Sequence, residues 1–318
     1  MTDTRVLIAG SGAVGAIYAE YLDRAGCSVT FLVRDRESSN AAMPRPLHEY
    51  RVLGGRRTVT QHVPCVTSAE GAWDQVWLCL PSTALESEWL AERLGELAPG
   101  TPVVTWTPDV RDRDRLEKMY NGANRGPIVQ GVIGFLSFQS PLPGTDSTLE
   151  GFGYFLPPFA AALLEESPEG DRAAAWLRAG GLPARTRSDL AWTAARGAAV
   201  LICTVAALEH SEWSLQRLRG RDHLSVVQQA AVEAIRATAS YMGRSAGLAA
   251  RLPYRMILAA ALRFAPLVVP IPMEAYLQYH FSKIGGQTRM MLDTWLDIAR
   301  EEAMPAPGLE SLRSRLGG

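Results

Sequence analysis

Six residues near the N-terminus, Gly10-Ser11-Gly12-Ala13-Val14-Gly15, restrict what this chain can fold into more than any other stretch. They follow a short apolar run, Arg5 to Ala9. They open a segment, Ala13 to Ala25, whose apolar residues recur at helical spacing, and Gly26 is suited to cap it. Ser28 to Val33 then alternates and is rich in β-branched residues, as a strand is. Strand, glycine turn, helix and strand make one βαβ unit. In that setting each glycine has a physical task. The first permits the tight turn, the second lets a ligand approach the backbone, and the third lets the helix pack closely on the strand. The helix N-terminus offers unpaired N–H groups and a partial positive charge to phosphates. An isolated GxGxxG says little; this context points to a Rossmann domain holding a dinucleotide on Gly10, Ser11, Gly12, Ala13, Val14 and Gly15. A Rossmann domain without a ligand is the alternative.

The residue that ends the second strand selects the dinucleotide. An acid there binds the ribose 2′-OH of NAD, whereas an arginine favours the 2′-phosphate of NADP. Arg34 closes the run Val29 to Val33, with Asp35 and Arg36 behind it. NADPH is therefore expected, and Asp35 keeps NADH open. Val76 to Leu80 reads as a parallel strand covered on both faces, and Pro81 and Ser82 at its end are counted among the cofactor-binding residues.

Further strands are expected at Pro102 to Trp106 and Ile128 to Ile133, a hairpin over Tyr50 to His62 turning at Gly54-Gly55, and helices after Pro81-Ser82-Thr83, over Val110 to Tyr120, and over Arg172 to Ala179 capped by Asp171. After Ser188 the pattern is helical throughout: Asp189 to Glu209, Val226 to Gly243, Pro253 to Phe264 and Thr288 to Glu302. The fold class is thus α/β, a doubly wound sheet in a Rossmann domain over 1–185, followed by an all-α domain over 186–318 for substrate binding and dimerisation. With 318 residues, 47% hydrophobic, the chain can bury two such cores. A net charge of −1 gives no footprint for nucleic acid. Cys27, Cys65, Cys79 and Cys203 form no CxxC pair, so neither a metal nor a disulfide framework is expected. The apolar stretch Met256 to Met273 is interrupted by Arg263 and three prolines, too broken to span a membrane. With no signal peptide in view, a cytoplasmic protein is expected.

The stretch VLIAGSGAVGAIYAEYLDRAGCSVTFLVR, Val6 to Arg34, resembles the N-terminus of ketopantoate reductases (2-dehydropantoate 2-reductases). Ala175 to Asp189 resembles that family's passage into its helical domain, of the kind found in 6-phosphogluconate dehydrogenase, and Trp295 to Leu309 its last helix and following loop. The resemblance implies NADPH giving a hydride to an α-keto acid, with Arg34 on the 2′-phosphate. The family's catalytic lysine and the asparagine four residues later, aligned on Trp192, fall on Ala194 and Ala198. Its lysine after the Val76 strand is replaced by Pro81-Ser82, and its Asn-Gly by Thr107-Pro108. Its substrate-binding glutamate falls near Gln287 when counted back from Pro307, with Glu274 as the alternative. Alanine neither donates a proton nor stabilises an alkoxide, so the family's usual reduction of ketopantoate is not expected.

A replacement must place a cation or acid near the carbonyl oxygen. Only two lysines occur in the chain. Lys118 lies on a charged helix and reads as a solvated face. Lys283 lies in His280-Phe281-Ser282-Lys283-Ile284-Gly285-Gly286-Gln287, where a helix would put His280 and Lys283 on one face and Lys283 and Gln287 on another, although Gly285-Gly286 suggests a break there. Lys283, His280 and Gln287 are the candidate catalytic residues. A surface lysine and a core histidine are the alternative. The expected function is NADPH-dependent reduction of a carbonyl or imine substrate other than ketopantoate; the alternative is a cofactor-binding homologue that has lost redox chemistry.

Overall fold

The computed structural model describes residues 4–34, 44–52, 54–120 and 125–316, the side chain of Leu267 excepted. Asp35 and Arg36 lie outside the described residues. The chain divides into two compact units, one of Met1–Thr107, Arg111–Leu142 and Asp146–Leu190, the other of Pro108–Val110, Pro143–Thr145 and Ala191–Gly318.

In chain order the first unit contains β1 (Arg5–Ala9), α1 (Ala13–Arg24), β2 (Ser28–Leu32), β3 (Arg45–Tyr50), β4 (Arg56–Gln61), β5 (Cys65–Val66), β6 (Gln75–Leu78), α2 (Glu88–Gly95), β7 (Val103–Thr105), α3 (Asp112–Met119), β8 (Ile128–Val132), β9 (Leu136–Ser140), β10 (Gly151–Phe155), β11 (Ala162–Glu165), α4 (Pro168–Ala179) and β12 (Ala184–Arg187). The main sheet has the order β12-β11-β8-β7-β6-β1-β2-β5. From β5 to β8 all neighbours are parallel, which is the doubly wound order with its switch between β1 and β6. β11 joins the β8 edge antiparallel and carries β12 parallel to it. Val6, Leu7, Ile8 and Ala9 are fully buried, as a central strand covered on both faces requires. Over that strand Tyr18 of α1 stacks on Trp106, ring centroids 4.2 Å apart. A second sheet, β4-β3-β10-β9, completes the unit.

Several local expectations are corrected. The hairpin turns at Gly54-Gly55, both with left-handed backbone (φ 81° and 84°), but its first strand starts at Arg45, before Tyr50. The segment after Pro81 is not one helix. A short 3-10 stretch, Ser82–Glu86, ends at Ser87, whose hydroxyl then caps α2 by accepting from the Leu90 N–H. α4 starts at Pro168, capped by Ser167, whose hydroxyl accepts from the Gly170 N–H; Asp171 instead accepts from the Thr186 hydroxyl.

The second unit is helical: α5 (Leu190–His210), α6 (Leu215–Leu218), α7 (Arg221–Tyr241), α8 (Tyr254–Val268), α9 (Met273–Lys283), α10 (Gly285–Glu301) and α11 (Pro307–Arg315). Its core joins Ile202, Cys203 and Ala206 of α5 to Val227, Ala231 and Ile235 of α7 and to Leu292 and Trp295 of α10. Among the described helices α5, not the Met256 stretch, is long and apolar enough to cross a membrane; half of its most apolar stretch is buried in this structure. Trp106 and Trp192 are both core residues.

Candidate cofactor and catalytic sites

The parallel registers bring four strand ends to one edge of the main sheet. Ala9 pairs with Leu32 on one side and Leu78 on the other, and Leu78 with Thr105. The residues that follow those strands, Gly10, Arg34, Pro81 and Thr107, therefore leave the sheet at the same edge, at the switch between β1 and β6, where open α/β sheets bind ligands.

The glycines of the loop differ in what surrounds them. Gly10 has φ 110°, and a Cβ there would stand 2.4 Å from the Cys79 carbonyl oxygen. At Gly15 a Cβ would stand 1.9 Å from the Gly10 carbonyl oxygen. Both glycines are demanded by close packing of the loop on β6 and of α1 on the loop. Gly12 is the N-cap of α1, with an ordinary φ of −77°, and a Cβ there would meet nothing within 4 Å. No protein contact requires glycine at that position. What the residue leaves is open space over the first turn of α1, formed by Ala13, Val14 and Gly15, with no side chain capping the turn and no acid in it. That arrangement fits a pyrophosphate: free N–H groups, a helix dipole, and no carboxylate to repel it.

Ser11 is fixed from outside the βαβ unit. Arg45, the first residue of β3, donates from Nη1 to its carbonyl oxygen at 2.6 Å. Sequence reading missed Arg45, because nothing in a hairpin strand signals that it reaches a loop 34 residues earlier. Arg34 lies just past β2, half-buried, its guanidinium carbon 5.4 Å from the ring centre of Trp89 on α2. Stacking of this kind holds the side chain in place. Pro81 precedes the 3-10 turn and has no N–H to offer. Ser82 is fully buried, with its hydroxyl donating to Asp112 at 2.6 Å. Thr107 is buried and its hydroxyl pairs with that of Thr105 at 2.8 Å.

In the helical unit Ala194 and Ala198 lie one turn apart on α5, with exposed Gly197 and half-exposed Leu201 on the same stripe. That stripe carries no polar side chain. Lys283 ends α9 and is exposed; His280 stands one turn before it. The His280 ring stacks on Tyr276 (5.6 Å, 28°) and meets the edge of Phe281 (4.9 Å, 81°). Burial first, and then the nearby Lys283 charge, push the His280 imidazole down to about 4, so it is neutral at physiological pH. Of the pair, Lys283 carries the charge. Gly285 and Gly286 do not merely interrupt a helix, as the sequence suggested: they start α10, after the single junction residue Ile284. Gln287 is buried in its first turn. Glu274 is engaged elsewhere, its carboxylate accepting from the Leu215 N–H at 2.7 Å. Among the described residues no group of three His, Cys, Asp or Glu side chains could hold a metal ion.

Residues 6–145 match the family of ketopantoate reductase PanE/ApbA. No curated protein matches the sequence. Among solved structures, the chain is similar to a 2-dehydropantoate 2-reductase from Geobacter metallireducens GS-15 (20% identity, 98% of each chain covered, TM-score 0.68). It is similar also to a D-mandelate dehydrogenase solved with NADH and anilino(oxo)acetate (15% identity, 98% of this chain and 97% of that one, TM-score 0.74). A third is a dimeric ketopantoate reductase from Staphylococcus aureus (12% identity, 98% and 97%, TM-score 0.66). At such identities the likeness shows a shared fold, and it extends over both units.

Proposed function

We propose that this chain, whose residues 6–145 carry the ketopantoate reductase PanE/ApbA domain, is an NADPH-dependent oxidoreductase acting on a carbonyl compound other than ketopantoate. The observation that carries the reading is Gly12: a residue kept small where no protein atom needs it small, at the N-terminus of α1 and at the sheet's switch point. Residues of the loop would hold the pyrophosphate through their N–H groups, and Arg34 would take the 2′-phosphate. When bound, the reduced nicotinamide supplies the hydride.

The substrate side follows from α5. With alanine at 194 and 198 those two positions of the helix have no group to protonate a carbonyl oxygen. Lys283 is proposed for that task, with neutral His280 beside it and Gln287 contributing an amide. A substrate bulkier and less charged than ketopantoate is favoured, since the D-mandelate dehydrogenase of the same fold holds an aryl-bearing oxo acid. Titration of the protein with NADPH and NADH by fluorescence, followed by oxidation assays on aliphatic and aryl 2-oxo acids, tests the proposal. NADPH binding with turnover of one of them is expected. Binding with no turnover on any of them would favour the second reading, a cofactor-dependent protein without redox chemistry, which the bare α5 stripe motivates.

The reading includes a cytoplasmic homodimer. Met256, Ile257, Phe264 and Val268 expose 67%, 49%, 59% and 46% of their surface along one side of α8, an apolar stripe of the kind that marks a protein contact. Phe264→Glu should shift the mass in solution from dimer to monomer; a monomeric unmodified protein would remove this part.

A further inference from the structure

Trp192 stands in the first turn of α5 with 7% of its surface accessible, and two guanidinium groups lie against its indole. Arg196, one turn along the same helix, holds its guanidinium carbon 5.3 Å from the ring centre; Arg244, in the loop after α7, holds its own at 4.7 Å. Among the described residues neither has a hydrogen-bonded acceptor or an acidic partner. For exposed Arg244, water answers that need. For Arg196 it does not, because its Nε–H is closed to solvent and unpaired. A buried charged donor left without an acceptor is destabilising.

The two stretches of sequence that carry these arginines supply no acid. Arg196 is the sole charged residue between Asp189 and Glu209, and from Ala234 to Met273 the sequence holds five arginines and no aspartate or glutamate. The Arg196 charge also reaches the Tyr254 phenol, which donates to the Ala249 carbonyl at 2.8 Å. The result is two guanidinium groups on one indole, one partly buried and one facing solvent. Arg196 is also separate from the vacated lysine position. Two residues on a helix are about 200° apart around its axis, so Arg196 points away from the Ala194 stripe.

We propose that Arg196 and Arg244 form an oxyanion-binding subsite beside Trp192, taking a carboxylate or phosphoryl group. The Arg196 guanidinium turns toward solvent to present its Nε–H to the anion, and Arg244 approaches it from the solvent side. Planar guanidinium groups suit both anions, which their paired oxygens meet in fork geometry. This subsite does not depend on the redox reading.

The Nε–Hε resonance of Arg196 in the full chain, assigned by its loss in Arg196→Lys, reports directly on the orphan donor. Titration with inorganic phosphate, and separately with acetate, at constant ionic strength should shift it saturably. Arg244→Met, an exposed substitution whose folding is checked by its thermal midpoint, should weaken the response at least tenfold. A response to phosphate alone assigns a phosphoryl ligand, and a response to both a general oxyanion site. No saturable shift, an equal shift with chloride, or an unchanged response in Arg244→Met would overturn the proposal.

Discussion

The two glycines Gly12 and Gly15 separate what the fold needs from what a ligand needs. A methyl group at Gly15 would stand 1.9 Å from the Gly10 carbonyl oxygen, more than 1 Å inside ordinary contact. Both atoms belong to packed backbone, so α1 must lift off the loop. Overpacking of that kind costs about 1–3 kcal/mol, and at about 2–4 °C per kcal/mol for a unit of this size the midpoint should fall by about 2–12 °C. A methyl group at Gly12 meets no atom within 4 Å and sits at a φ of −77° that alanine adopts freely. Its stability should change by no more than about 1 kcal/mol, since alanine's poorer capping is offset by its stiffer unfolded chain. The same methyl occupies the space assigned to the pyrophosphate, and the loss of close approach should weaken dinucleotide binding by about 10- to 100-fold, or about 1.4–2.8 kcal/mol. Thermal unfolding and NADPH fluorescence titration on both variants read the two effects independently. If Gly12→Ala binds NADPH as tightly as the unmodified protein, the assignment of that space to the cofactor is refuted.

Three further outcomes follow. Arg34→Ala should weaken NADPH binding at least tenfold while leaving NADH nearly unchanged; equal losses for both would mean that Arg34 does not read the 2′-phosphate. Lys283→Ala should lower turnover by about 10²- to 10⁴-fold with NADPH affinity retained, and near-normal turnover would remove it from the chemistry. His280 has its folded value pushed down to about 4 from the ordinary histidine value, so between those two values the unfolded chain binds more protons than the folded one. Stability should therefore rise with pH across that window and fall as the medium is acidified. His280→Asn should flatten the dependence when midpoints are measured across it, and an unchanged slope would place the acid sensitivity elsewhere.

Much of the N-terminal unit was legible because its signals are local. Gly10, Gly12 and Gly15 declare a turn and a close packing, and the run Val6 to Ala9 declares a strand with no solvent face. Arg34 is found by counting to the end of the second strand. Other features depend on partners far along the chain. β11 and β12 are four residues each, too short to show a period, and they exist because the β8 edge accepts them. Asp171 looked like a helix cap, but Ser167 before Pro168 offers both the capping hydroxyl and a first residue that needs no N–H. Arg45 carries no signal for its contact with Ser11, and Ser82 none for its contact with Asp112. In the helical unit the alanines at 194 and 198 can be read at once from the sequence, but the packing around them cannot. The neutrality of His280 comes from its packing among Tyr276 and Phe281 and from the Lys283 charge, and the orphan donor of Arg196 from its burial.

The proposed function requires the glycine loop to hold a nicotinamide dinucleotide for redox use. A titration of the unmodified protein with NADPH and NADH, continued into oxidation of the bound reduced cofactor by a panel of 2-oxo acids, tests it most directly. Tighter binding of NADPH than of NADH, and oxidation by a substrate bulkier than ketopantoate, are expected. Failure of both dinucleotides to bind would contradict it.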